Sequence, residues 1–307
     1  MTRHHSVARV VPLSRGQGAA LVLVLWFVAA MSLLVVSLTG TARVDIKAAG
    51  LTVNEVRAIA LGDAAIMLAL LDLESRPEHM QQAMFRQYPF ETHTLQVELR
   101  ASSGLVNLNL ATESTLARFL VVVAELPDTQ AEQLAAAIVA WRSPSATDDL
   151  VRAYQAAGLR QRPRHGRFET VEDLLQVAGM DLDLYVKIKG FLTVYGQDAG
   201  INIRHAPAEV LAVLADGRMD VAQQVAQALR NGEVGVDTTM LDASLSASGV
   251  GEQFRIEASV EIGGWRFTRT RWVERGSGHS APWLTLQLET RIGQVTGAVD
   301  ATVDMNF

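Results

Sequence analysis

Cysteine is absent from all 307 residues, which removes disulfides, thiolate zinc sites and cysteine nucleophiles together. The fold therefore stands on packing alone, or on packing plus an oxygen-ligated metal. Lysine is almost missing as well, occurring only at Lys47, Lys187 and Lys189. With a net charge of −6 and a pI near 5.7, no global basic balance favours nucleic acid or an acidic surface. Common catalytic signatures are missing too. There is no Gly-x-Ser-x-Gly elbow, and Gly263-Gly264 lacks the Lys-Ser or Lys-Thr of a P-loop. His79, His93, His165, His205 and His279 are scattered, and no pair has the i, i+4 spacing with an adjacent Glu that a zinc-protease helix needs.

Charge is also absent from one long stretch, Ala19 to Gly40 (AALVLVLWFVAAMSLLVVSLTG). About 22 residues at ~1.5 Å each reach ~33 Å, enough to cross a hydrocarbon core of ~30 Å. A single segment satisfies its backbone amides in lipid only as a helix. The preceding residues carry Arg3, Arg9 and Arg15 with no acid. The positive-inside rule keeps that end cytoplasmic and sends everything after Thr41 to the other side of the membrane. A cleaved secretory signal would have an apolar region of only ~7–15 residues.

Beyond the run, Ala49, Val53, Val56, Ala60, Ala64, Met67 and Leu71 recur at spacings of four and three. They predict that the helix continues over Thr41 to Glu74 and buries this stripe on a sheet. Gly50 and Gly62 are candidate bending points, each costing up to ~1 kcal/mol relative to Ala. Strand alternation appears in Thr94 to Arg100 and most clearly in Phe254 to Ile262. There Phe254, Ile256, Ala258, Val260 and Ile262 point one way. Gly263-Gly264 predicts a tight turn into a strand over Trp265 to Val273, and Trp283 to Leu288 adds another.

Between these strands most of the chain reads as helix and contains a repeat. Asn107 to Ala111 (NLNLA) with Leu116 matches Asn202 to Ala206 (NIRHA) with Leu211, each Asn following a Gly, Gly104 or Gly200. Ala131 to Ile138 (AEQLAAAI) matches Ala222 to Leu229 (AQQVAQAL). Phe168 to Lys189, with a Gly-apolar turn at Gly179-Met180, resembles a helix-hairpin-helix. The expected fold class is α+β, with a large helical insertion at 105–235 interrupting a sheet domain formed by 41–104 and 236–307.

At the membrane boundary, Arg15-Gly16-Gln17-Gly18 runs directly into the apolar segment. This resembles a type IV prepilin leader, and the resemblance implies that a prepilin peptidase cuts after Gly18 and N-methylates Ala19. Pilins and pseudopilins carry a Glu at the fifth mature position, and here that position is Leu23. A carboxylate in a bilayer or packed helical core is costly unless neutralised, and in such filaments the neighbouring N-terminal ammonium does so. A subunit without it suits the filament tip. With the insertion and the C-terminal hairpin, the chain resembles the K-class minor pseudopilins of the type II secretion system.

That resemblance implies a pilin-like helix on a small antiparallel sheet, an insertion with a duplicated helix-hairpin-helix or SAM-like unit, and no enzymatic activity. It implies partners among the I- and J-class minor pseudopilins, the major pseudopilin, the inner-membrane assembly platform and exported cargo. Members of the class carry calcium in Asp-rich loops. Asp148, Asp149, Asp181 and Asp183 are the oxygen donors available, although Trp141 to Thr147 (WRSPSAT) is poorer in acids than the class leads one to expect. The alternative function is a membrane-anchored helix-hairpin-helix DNA receptor, because Val106 to Arg142 also resembles the helical unit of competence DNA receptors. Gly179-Met180-Asp181 lacks the second glycine such a hairpin uses to approach phosphate, and Leu126-Pro127-Asp128 lacks the glycine pair altogether. The cluster Arg160, Arg162, Arg164, His165 and Arg167 is the one local basic patch.

Overall fold

The computed structural model of the chain describes residues 17–144, 164–276 and 282–295, the side chains of 17–19 and 35–48 excepted. It divides into two compact units, Met1–Val56 and Arg57–Phe307. The first helix, α1, runs Gln17–Ser75 as one element of 59 residues. In the first unit, every described side chain from Ala20 to Leu34 is exposed. Residues 1–16 of the expected leader lie outside the described residues.

The second unit is α+β. Its sheet comprises β1 (Met84–Phe90), β2 (His93–Ala101), β5 (Gln253–Ile262), β6 (Trp265–Arg275) and β7 (Trp283–Gln294), antiparallel throughout in the order β1-β2-β5-β6-β7. The alternation read in Phe254 to Ile262 is the burial observed, with all five apolar side chains inside. Gly263 and Gly264 both adopt positive φ, 59° and 79°, as a two-residue hairpin turn requires. Strand β1 has no such signature: only Met84 is fully buried, and Pro89 is tolerated because β1 is an edge.

The part of α1 in this unit lies on the sheet, with Ala58, Leu61, Ala65, Ile66, Ala69, Leu70 and Leu73 buried against Leu95, Val97, Leu99, Ile256, Val260 and Phe267. Each fully buried Leu or Ile contributes about 1.5–3 kcal/mol. The expected stripe is therefore corrected. Ala49, Val53, Val56, Ala60, Ala64, Met67 and Leu71 are all exposed. The helix is apolar on several sides, so periodicity alone cannot choose a face, and the choice falls to the small residues. A Cβ on Gly62 would lie 2.7 Å from the Cβ of Arg269. Gly62 thus serves close helix-to-sheet approach rather than bending.

Between β2 and β5 lie helices α2 (Glu113–Val122), α3 (Asp128–Arg142), α4 (Leu182–Ile188), α5 (Ala208–Leu214) and α6 (Met219–Arg230) among the described residues. They share a second core that includes Phe119, Leu120, Leu134, Trp141, Val210 and Leu211. A short parallel pair, β3 (Val106–Asn107) with β4 (Leu192–Thr193), closes one side. Pairing of β2 with β5 puts Ala101 opposite Phe254, so the chain leaves and re-enters the large sheet at neighbouring points. The first arm of the expected helical hairpin is only a turn of 3₁₀ helix, Val171–Gln176.

Candidate assembly interface

The repeat found in the sequence is a repeat of hydrogen bonds. In the first copy, Asn107 Oδ1 accepts from Asn109 N at 2.9 Å, and its Nδ2 donates to the Tyr195 carbonyl at 2.8 Å. In the second, Asn202 Oδ1 accepts from Arg204 N at 3.0 Å, and its Nδ2 donates to the Gly249 carbonyl at 2.9 Å. Each Asn carbonyl then accepts from the Ala four residues on, Ala111 or Ala206. The side chain does the work of a turn and satisfies backbone groups that would otherwise be buried and unpaired. Arg142 adds a brace to the first copy, donating from Nη1 to the Leu108 carbonyl at 2.6 Å and from Nη2 to that of Ala111.

The hairpin that suggested DNA binding is occupied by its own chain. Asp181 caps α4, its Oδ1 accepting from Leu184 N at 2.8 Å. A phosphate approaching there would meet this carboxylate. Lys187 donates to the Ala124 carbonyl at 3.0 Å and to Glu125 at 2.6 Å, and Lys189 lies over the Tyr185 ring. Of the basic cluster, Arg164 pairs with Glu169 and Asp173, His165 Nδ1 lies 3.3 Å from the Ser143 carbonyl, and Arg160 and Arg162 lie outside the described residues. Of the calcium candidates, Asp181 is committed to its cap and Asp183 lies exposed in the first turn of α4, while Asp148 and Asp149 lie outside the described residues. No group of three His, Asp or Glu side chains suited to a metal occurs among the described residues.

Exposed apolar side chains occur on α1 in each of the two units. In the first unit Leu23, the position where pilins carry Glu, is 71% exposed, among exposed Val22, Trp26 and Phe27. A helix apolar on all sides requires a non-aqueous neighbour, lipid or protein. Among the described residues no helix is long and apolar enough to cross a membrane. Gly18 and Ala19 fall in α1, with their side chains undescribed.

In the second unit the outward side of α1 presents Met67, Leu68 and Leu71, the last 61% exposed. Beside them sits a charged group that sequence reading missed. Asp63 accepts from Arg269 Nε at 2.9 Å, Arg269 Nη2 at 3.3 Å and Arg271 Nη2 at 3.1 Å. Arg269 Nη1 continues to Thr290 Oγ1 at 2.7 Å. Two arginines on the inward face of β6, flanked by Phe267 and Val273, were the available signal, because inward cations demand an acid partner.

These features define an α+β chain that lays a helix on an antiparallel sheet, leaves Met67, Leu68 and Leu71 of that helix exposed, and carries a helical insertion. Residues 103–197 match the family described as type II secretion system (T2SS), protein K. The match spans just under a third of the chain and falls on the insertion. A chain in the crystal structure of the GspK-GspI-GspJ complex from the enterotoxigenic Escherichia coli type 2 secretion system is similar at 19% identity, with a TM-score of 0.47, over 68% of this chain and 83% of that one. The comparison with curated proteins finds no match.

Proposed function

We propose that this chain is the minor pseudopilin at the tip of the type II secretion pseudopilus, nucleating and capping assembly for protein export across the outer membrane. The observation that carries the reading is the protein K match on the insertion of a chain whose α1 keeps Met67 and Leu71 uncovered. In this reading residues 1–18 are a leader cut after Gly18, residues 19–40 anchor the chain in the inner membrane from an N-methylated Ala19, and the remainder is periplasmic. The pilin-like part comprises 41–104 and 236–307, and the insertion 105–235 carries the duplicated unit, supported by the matching Asn107 and Asn202 turns. Leu23 in place of Glu removes the group that would call for a subunit ahead, and the bulky insertion obstructs stacking above.

The I- and J-class minor pseudopilins are the expected partners, in keeping with the complex in which the similar chain was crystallised. Small residues such as Ala29, Ala30 and Ser32 allow close helix packing as lipid contacts are exchanged for protein ones. The test has two arms. Co-expression of the full chain with a prepilin peptidase should yield a product beginning at methylated Ala19 by mass spectrometry, and Gly18→Ala should block cutting. The mature protein in detergent should co-purify with I- and J-class partners. A chain that keeps Met1 and elutes alone would sink the proposal.

A further inference from the structure

Where the chain leaves the large sheet after β2 and returns to it before β5 there is a cleft of about 320 Å³. Ser102 and Ser103 line it from the 3₁₀ turn Ser102–Gly104, Gln197 and Asp198 from the loop after β4, and Glu252 and Gln253 from the approach to β5. That volume is the lower end of the ~300–1,000 Å³ of ordinary ligand pockets, room for a small organic group.

Three of the donors around the cleft are spent inside the fold. Asn107 Nδ2 donates to the Tyr195 carbonyl at 2.8 Å, Ser103 Oγ to that of Val250 at 2.9 Å, and Gln253 Nε2 to Glu274 at 2.6 Å. What remains is the Gln197 amide, two carboxylates and one hydroxyl. The carboxylates of Asp198 and Glu252 are exposed, and neither has an Arg or Lys partner among the described residues. The hydroxyl is that of Ser102, which is 1% exposed and has no hydrogen-bond partner among the described residues. A buried hydroxyl left unpaired weighs against the fold, so a group entering from outside to pair with it is favoured. Gly196, at a φ of 105°, keeps that approach open, because a Cβ there would lie 3.3 Å from Ser102 Oγ. Gly249 makes room for the rim in the same way, since its Cβ would come within 2.7 Å of Asp198 Oδ2.

We infer that this cleft binds an alkylguanidinium cation, the head group of arginine. Guanidinium carries five N–H donors in a planar fork and no acceptor, the complement of two carboxylates and a hydroxyl oxygen. Asp198 and Glu252 hold the charge at the rim, and Ser102 Oγ accepts an N–H at the floor. An anion would meet two like charges there, and an apolar group would desolvate both carboxylates without replacing their hydrogen bonds. No third His, Asp or Glu completes a metal-binding set with them among the described residues.

Ligand-observed NMR titrations of the full chain in detergent test the assignment with three probes: Ac-Gly-Arg-Gly-NH2, agmatine, and the same peptide with citrulline in place of arginine. Citrulline keeps the shape of the head group and removes its charge. Both guanidinium probes should bind at least about tenfold more tightly than the citrulline peptide, the value of one charge-assisted hydrogen bond. A preference for the arginine peptide over agmatine would assign the cation to another polypeptide, and the reverse to a free small molecule. Asp198→Asn/Glu252→Gln should weaken the arginine peptide at least about tenfold, and added salt should weaken its binding to the native protein. Ser102→Ala should weaken it by about threefold without lowering the thermal midpoint, because it deletes a hydroxyl that the fold itself does not use. Equal affinity for the arginine and citrulline peptides would overturn the inference. So would unchanged affinity in the double variant, or binding of calcium ion but of neither guanidinium probe.

Discussion

The backbone N–H of Ala101, the last residue of β2, donates to Nδ1 of His205 at 3.0 Å. The imidazole is fully buried, and its Nε2 lies 3.0 Å from the Met80 carbonyl. Since Nδ1 accepts, the proton must sit on Nε2, and the ring is neutral. The Arg100 guanidinium returns a hydrogen bond to the His205 carbonyl at 2.9 Å. One residue from the second Asn turn thus ties the helical insertion to the strand that precedes it.

Burial pushes the His205 pKa down from 6.5 to about 4, with Arg100 and Arg204 adding to the shift. The folded protein binds a proton here less readily than the unfolded chain. The contribution of the neutral ring is complete above pH ~6.5 and shrinks as pH falls, until it is gone below about 4. Urea midpoints should therefore decline from pH 7 to pH 4 by more in the native protein than in His205→Gln. A parallel decline in both would refute the assignment.

Gly104 is the next element of the same seam. A Cβ there would lie 2.4 Å from the His205 backbone carbonyl. Backbone cannot yield as a side chain does, so Gly104→Ala should destabilise by about 2–3 kcal/mol, within the range of overpacking. Gly50→Ala, at a position with open space around it, should be neutral or slightly stabilising by comparison. Thermal midpoints of the two variants test the contrast.

Asp63 is the carboxylate shared by Arg269 and Arg271, and Arg271 Nε is already buried without a partner. Asp63→Ala leaves two desolvated cations facing α1. Because Asp63 is about one-third exposed, the loss should be about 2 kcal/mol rather than the larger cost of a fully buried pair. Replacing Arg269 as well should recover part of it. A double-mutant cycle in chemical denaturation measures the recovery.

Leu71 lies outward on α1, and its replacement should not weaken the fold. Leu71→Asp is expected to change stability by less than about 0.5 kcal/mol. The same change should reduce co-purification with I- and J-class partners at least about tenfold, because a charge would have to be desolvated in an apolar contact. Leu73→Asp, fully buried on the sheet, should instead prevent folding.

What could be read from the residues depended on whether one face or two were exposed to water. In β5, polar and apolar residues alternate cleanly, and both the strand and its inward set were legible. Helix α1 offered apolar residues on two sides, so the helix was legible but its buried face was not. Strand β1 escaped because an edge strand need bury little, and Pro89 there argues against a strand anywhere but an edge. His205 looked like any scattered histidine, since nothing local distinguishes a ring that bridges β2 and the 3₁₀ turn at Pro77–Gln81 from one in solvent.

Sequence by itself determined the elements with a local cause: the uncharged run behind Gly18, the Leu at position 23, the hairpin at Gly263-Gly264 and the twin Asn turns. Each follows from hydropathy, periodicity or side-chain chemistry within a few residues. Only the tertiary structure decided which side of α1 meets the sheet and that Asp63 answers Arg269 and Arg271 some two hundred residues away. Those outcomes depend on close approach and charge pairing between segments distant along the chain, which no local pattern encodes.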